Sequence, residues 1–421
     1  MSEACRDLQL GSCCRSSPRD IYGCLAGHDT SFEYPSLLRK LTDPLAKVAI
    51  AHDYLTQRGG AERVVLAMLR AFPNASVYTS VYVPDETYPE FVEVDVRPTW
   101  LGRIPIFRHD HRLALPFLAQ AFSSCVVDAD VVICSSSGWA HGVSTRGQKL
   151  VYCYTPARWL YQSDKYLGGA SYRGAGPVMA LMRPLLIRWD RRHAQSAARY
   201  LTSSTSVRER IKRIYGIDAE IVPPPLTSQL GGPQTEVTGL EPGFLLCVSR
   251  LLAYKNVDAV IRAASHLSGR RLVVVGDGPD RTKLALMADA RTTMIRQASD
   301  QELNWLYANC AGVIAAGYED FGLTPIEAAS FGKPSAVLRW GGYTDTVRAG
   351  RTGVFFEAPT PEGIAAAMTE LLNHRWDHTV LVSHAGTYSE GAFVDRLRVE
   401  VELLAENVQK RDRSRHATRT E

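Results

Sequence analysis

From residue 47 onward, short unbroken apolar runs alternate with stretches whose apolar residues fall three and four apart, the pattern of buried strands joined by helices. Residues 47–53 form the first run and residues 57–62 a glycine turn. Val65, Met68, Leu69 and Phe72 then share one face of a predicted helix. A strand-forming run at 76–82 stops at Pro84-Asp85, and runs at 129–136 and 149–154 each end in small or polar residues. Residues 201–222 add two strands around a helix expected to expose Arg208 and Arg210. A second series follows, with strands at 244–248, 271–275, 312–316 and 334–338, a helix over 256–267 and another starting near Thr344. Two such α/β series predict two open parallel sheets, whose ligands gather at the carboxyl ends of the strands.

Between the series lie Pro223-Pro224-Pro225, Gly231-Gly232-Pro233 and Glu241-Pro242-Gly243, the sharpest break in the chain. The expected division is a leader over 1–46, a first domain over 47–223, a linker over 224–243, a second domain over 244–392, a helix over 393–408 and a basic tail over 409–421. The leader lacks apolar periodicity and is expected to be disordered and dispensable for fold and catalysis, and the basic, polar tail is expected to be disordered. The 421 residues, 45% hydrophobic and 22% charged, suit two domains that each bury a core. A net charge of +4 gives no footing for nucleic-acid binding. With no apolar run of about 18 residues and no signal-like start, the expectation is a cytoplasmic protein without a transmembrane helix. Nine cysteines without a C-x-x-C pair point to reduced thiols rather than structural zinc.

The chemistry concentrates at residues 318–327, where Glu319 and Glu327 stand eight positions apart across a loop that turns into a helix. Thr324-Pro325-Ile326-Glu327 reads as a helix start in which Thr324 and Glu327 form a capping box. A loop carboxylate and a second at a positive helix end would grip the hydroxyls of a polar ligand. Arg250 and Lys255, between a strand and a helix, would supply fixed positive charge. Glycines at 59, 60, 341 and 342 would let backbone amides approach a ligand.

Gly59-Gly60-Ala61-Glu62, Arg250 with Lys255, Gly276-Asp277-Gly278-Pro279, the pair Glu319 and Glu327, and Gly341-Gly342, in this order, resemble a GT-B retaining glycosyltransferase of the family-4 type over residues 47–405. The resemblance implies two Rossmann-like doubly wound domains facing across a cleft, with the C-terminal helix returning to the first domain. It implies a nucleotide-sugar donor as substrate, no cofactor and no metal. Glu319, Arg250 and Lys255 would be catalytic, with Glu319 on the transferred sugar and the two cations on the diphosphate. Glu327, on the ribose hydroxyls, would bind donor with Gly59, Gly60, Gly276, Phe321, Gly322, Leu323, Thr324, Gly341 and Gly342. Family members retain the anomeric configuration by same-face attack, so no carboxylate nucleophile is needed.

Residues 135–143 and 152–158 resemble the branch of O-antigen-type mannosyltransferases that use GDP-mannose. That branch has histidine where this chain has Tyr154, and glutamate is more usual than Asp345. His141, Tyr154 and Arg158 are candidates for the acceptor or sugar side, although His141 also reads as a satisfied structural histidine. Residues 97–122, with Arg97, Trp100, Arg103, Ile106, Phe107, Arg108 and Arg112, and residues 183–199, with Arg183, Arg188, Arg191, Arg192 and Arg199, set cations beside apolar groups. Such segments suit an anionic membrane at the inner face of the plasma membrane or a lipid-linked acceptor, or else are solvated helix faces. The expected reaction is hexosyl transfer to a glycan or lipid-linked acceptor. Its rivals are transfer from a UDP-sugar, sugar-nucleotide epimerisation and an inactive nucleotide-sugar-binding subunit.

Overall fold

The computed structural model describes residues 46–161, 176–226, 231–267 and 269–417. The first strand series forms a seven-stranded sheet from β1 (Val48–His52), β2 (Ser76–Thr79), β3 (Val96–Pro98), β4 (Val131–Ser136), β5 (Gln148–Cys153), β6 (Arg199–Thr202) and β7 (Glu220–Ile221). Their spatial order is β3-β2-β1-β4-β5-β6-β7. The second sheet has six strands, β8 (Leu245–Val248), β9 (Leu272–Val275), β10 (Thr292–Ile295), β11 (Gly312–Ala315), β12 (Ser335–Leu338) and β13 (Gly353–Phe356), in the order β10-β9-β8-β11-β12-β13. The strand pairs at both centres are parallel, Val48 facing Val131 in one sheet and Leu245 facing Gly312 in the other. Each sheet is therefore doubly wound, with a crevice at the carboxyl ends of β1 and β4 and another at those of β8 and β11. All six residues of β4 are buried, which is why this strand is an apolar run and not an alternating one.

Five helices position the groups of interest: α1 (Gly60–Ala71), α2 (Thr205–Tyr215), α3 (Val257–Ser265), α4 (Leu323–Ser330) and α5 (Glu390–Ala417). One buried face was expected of α1, yet Val64, Leu66 and Ala67 are buried along with Val65, Met68 and Leu69. The reason is a second neighbour. Phe393, Val394, Leu397, Val401 and Leu404 of α5 join α1, Ile50 and Tyr152 in a single core, so α1 lies between its sheet and the last helix of the chain. Glu400, 1% exposed, anchors α5 to β6 through Arg199 at 2.8 Å, and Arg396, one turn earlier on α5, pairs with both Glu400 at 3.1 Å and Glu220 of β7. Arg199, expected on a basic surface, is instead held by Glu400 and Glu220.

The stretch 409–417, expected to be disordered, continues α5 as helix. The expected leader, apart from Ala46, and residues 418–421 lie outside the described residues. After the proline run the chain packs on the second domain, where Thr235 N–H donates to the Gln301 carbonyl at 3.1 Å and Leu240 enters the core around Phe244 and Tyr307. No helix among the described residues is long and apolar enough to cross a membrane.

Candidate active site

In the second domain, β8 ends at Val248 and delivers the exposed Arg250, whose guanidinium donates to the Tyr254 hydroxyl at 3.2 Å. A single 3-10 turn, Ala253–Lys255, then ends on Asn256 at φ 53°, the one non-glycine residue with positive φ among the described residues. Asparagine tolerates that conformation, and its side chain locks the turn by donating to the Ala316 carbonyl at 2.8 Å. The turn sends Lys255 inward, with the ammonium 5.0 Å from the Tyr254 ring centre and in contact with the Glu319 carboxylate. A Cβ at Gly317 would stand 2.9 Å from Lys255 Cδ, so this glycine leaves room for the lysine. Burial lowers the Lys255 pKa to about 7, and the Arg250 and Arg158 guanidiniums add to the shift. The half-buried Glu319 carboxylate is the anion it touches.

The glycine turns act by close packing. Gly276, at φ 149°, would carry a Cβ 1.9 Å from the Ser249 carbonyl, beside Arg250. Gly341 and Gly342, expected to open the backbone to a ligand, instead pack beneath the carboxylate loop. Cβ atoms there would lie 2.2 Å from the Glu319 carbonyl and from Phe321, and Gly342 N–H already donates to the Glu319 carbonyl at 3.0 Å. Phe321, expected among the donor contacts, is buried with Ile326, Leu381 and Tyr388.

The capping box expected at Thr324 and Glu327 does not form. Helix α4 begins at Leu323, and its N-cap is Gly322 at φ 84°, without a side-chain cap. A Cβ on Gly322 would strike the Tyr343 ring at 2.5 Å. The first-turn amides of Leu323 and Thr324 thus lie at the positive end of an eight-residue helix. Glu327 accepts a hydrogen bond from the buried Tyr307 hydroxyl at 2.6 Å. Burial raises its pKa, against the opposing effects of Tyr307 and of Arg63 on α1 of the first domain.

In the first domain, Gly59 precedes α1, and Gly60, its first residue, has nothing within 4 Å of an added Cβ. Gly59 differs, because a Cβ there would lie 2.5 Å from Glu62 Oε2; its glycine makes room for a carboxylate that is 1% exposed. Tyr154, at the position of the usual histidine, donates to the Ala61 carbonyl at 3.2 Å and lies 2.9 Å from Ser135 Oγ. Its hydroxyl therefore ties the end of β5 to the start of α1, and burial raises its pKa. His141 is not on the cleft: it is 2% exposed, between Ser136 Oγ at 3.0 Å and Asp190 Oδ1 at 3.1 Å. Buried Asp53 accepts from Ser137, Trp139 and Ala140 N–H and shapes the loop after β4. Asp128 and Asp130 bind Lys47 at the opposite, amino end of the sheet.

Of the residues that bridge the domains, Arg158, Arg210 and Asp345 were named from the sequence in other roles, and Asp320 was not singled out. Asp320 accepts from Arg210 of α2 at 2.9 Å and pairs with Arg158. Arg210, expected on an exposed helix face, is consequently buried, and it also donates to Thr155 Oγ1 at 2.7 Å. Asp345 caps α2 from the other domain, accepting from Thr205 N–H at 2.8 Å and its hydroxyl at 2.7 Å. The one available signal for Asp320 was its place inside the 319–327 motif; nothing in the chain pattern pairs it with arginines 110 and 162 residues away.

Two doubly wound sheets, with cations, carboxylates and helix starts collected at the carboxyl ends of their strands, define a two-domain α/β protein. The second domain matches the family model "Glycosyl transferases group 1" over residues 234–385, and the first matches "Glycosyltransferase Family 4" over residues 58–228. The chain belongs to the GT-B glycosyltransferases. Among curated proteins it is similar to glycogen synthase of Thermus thermophilus, 32% identical over 179 residues, 37% of this chain and 41% of that one. It is also similar to D-inositol 3-phosphate glycosyltransferase of Mycobacterium avium, 33% identical over 171 residues, 33% of this chain and 40% of that one. The matched region thus spans about two fifths of these relatives. Among solved structures, Anabaena HepE in complex with UDP-glucose superposes with a TM-score of 0.62 at 14% identity, covering 85% of this chain and 100% of that one. The lipopolysaccharide outer core galactosyltransferase WaaB superposes at 0.57 and 16% identity, covering 85% and 99%. At these identities the likeness is one of fold.

Proposed function

We propose that the protein transfers a hexose from a nucleotide-sugar to a glycan or lipid-linked acceptor, with retention of anomeric configuration and without a metal ion. The observation that carries this reading is the buried Lys255 held on Glu319 beside Arg250, at the carboxyl end of β8. A departing diphosphate gains negative charge as the glycosidic bond breaks. Arg250, Lys255 and the start of α4 would stabilise it there, each charge-assisted contact contributing roughly 1.5–3 kcal/mol. Glu319 would then accept from sugar hydroxyls and Glu327 from the ribose, while the departing phosphate oxygen takes the acceptor proton.

Mannose from GDP-mannose is the first donor to test, on the resemblance of residues 135–143 and 152–158. The second reading, a UDP-sugar, draws support from the UDP-glucose bound to HepE. Contact with an anionic membrane is supported by Trp100, Ile106, Leu113 and Phe117, all exposed, next to Arg103 and Arg108. Phe117 links this face through ring contacts with Trp100 at 6.3 Å and Phe107 at 5.8 Å.

The test is a panel of nucleotide-sugars assayed for hydrolysis and transfer in excess EDTA, with the product anomer read by NMR. The expected result is GDP-mannose turnover with retention. A clear preference for a UDP-sugar overturns the mannosyl donor, activity lost to EDTA and restored by magnesium or manganese overturns the metal-free site, and inversion overturns the mechanism.

A further inference from the structure

We propose that Asp320 is a positioning residue through which the first domain sets the Glu319 carboxylate against Lys255. The two acids are adjacent in the chain but face different partners. Glu319 turns to Lys255 within its own domain, while Asp320 reaches across to Arg158, which follows β5, and to Arg210 of α2. The backbone between them is gripped from both domains. Gly342 N–H donates to the Glu319 carbonyl at 3.0 Å, and the Ser204 hydroxyl of the first domain donates to the Asp320 carbonyl. Arg210 is itself fixed by Thr155, next to Tyr154 at the end of β5.

Apolar side chains would hold two domains together at lower desolvation cost than one carboxylate and two guanidiniums, so what the charged cluster adds is direction. With both carboxylate oxygens engaged, the loop has little freedom to rotate Glu319 off the lysine. The cluster is also electrically joined to the site: Arg158 disfavours the Lys255 ammonium and Asp320 favours it. The groups bearing on that lysine are Glu319, Arg250, Arg158, Asp320 and Cys247, with the Tyr254 ring beside it.

This inference rests on Lys255 and Glu319 acting on the donor as proposed above, and its test has a readout that needs no turnover. In protein with 13C-labelled lysine, the Lys255 side chain, assigned through Lys255→Arg, is titrated by NMR alongside steady-state kinetics. Asp320→Asn should lower the Lys255 midpoint and reduce kcat about ten- to a hundredfold, with donor KM changing less than about threefold. Asp320→Glu should recover part of both. Arg158→Gln loosens the same tether with the opposite electrostatics, so kcat should fall while the midpoint rises. It also carries the test if Asp320→Asn does not fold.

An unmoved midpoint with unmoved kcat in these variants overturns the inference, as does a loss confined to donor KM. A wild-type protein that turns over no nucleotide-sugar overturns the proposed function instead, and the midpoints still decide the place of Asp320.

Discussion

Lys255 is buried among cations and has lost most of the advantage an ammonium has in water, so its charge at neutral pH depends on Glu319 and on what binds beside it. If the ammonium stabilises the leaving diphosphate, kcat/KM, which reports the free enzyme, should fall as pH rises through about 7. Lys255→Arg keeps its charge and should lose that limb, whereas Lys255→Ala should depress kcat/KM about ten- to a hundredfold below that pH and approach the wild type above it; pH–rate profiles of the three proteins check both. Glu327 presents a separable pair of roles. Glu327→Ala leaves the buried Tyr307 hydroxyl unpaired and should cost about 1–3 kcal/mol in a denaturant melt. Glu327→Gln keeps an acceptor for that hydroxyl and should melt near the wild type while binding donor more weakly by calorimetry. At this scale the motif positions were legible because type and spacing identify a loop before a helix. Their partners were not: the capping box lost to a start at Leu323, and Arg210 and Tyr307 reach their acids only through tertiary folding.

Turns place the site as much as strands do. The strands were legible because a parallel strand buried on both faces is an unbroken apolar run, as in β4 and in β9, where all four residues are buried. What the glycines do was not, since a glycine that admits a ligand and one that admits a neighbouring backbone look alike in a sequence. Gly60 is open, while Gly276, Gly341 and Gly342 are packed against carbonyl groups. Gly276→Ala would force the Ser249 carbonyl away and should move Arg250 with it. The expected outcome is a stability loss of about 1–3 kcal/mol together with weakened donor binding, measured by thermal melts with and without nucleotide-sugar. Loss of stability with unchanged affinity would show that the turn supports the sheet alone.

Across the whole molecule, a proline run made the two-domain division visible, but the long-range return of α5 onto α1 comes from side chains, with Phe393 meeting Tyr152 at 5.7 Å between ring centres. Phe393→Ala should cost about 3–5 kcal/mol, and equilibrium unfolding should locate the loss in the first domain's transition although the residue lies near the other end of the chain. The return of α5 to the first domain was expected from the family resemblance alone; that it covers α1 was not readable, because α1's own apolar residues do not say which neighbour covers which side. The same packing sets an order of events during synthesis. When residues 46–226 have left the ribosome, the sheet they form still lacks Phe393, Val394, Leu397, Val401 and Leu404 from its core. The first domain must wait for α5, so the apolar face of α1 stays uncovered for the time needed to translate the second domain, an interval in which a nascent chain should be a chaperone client.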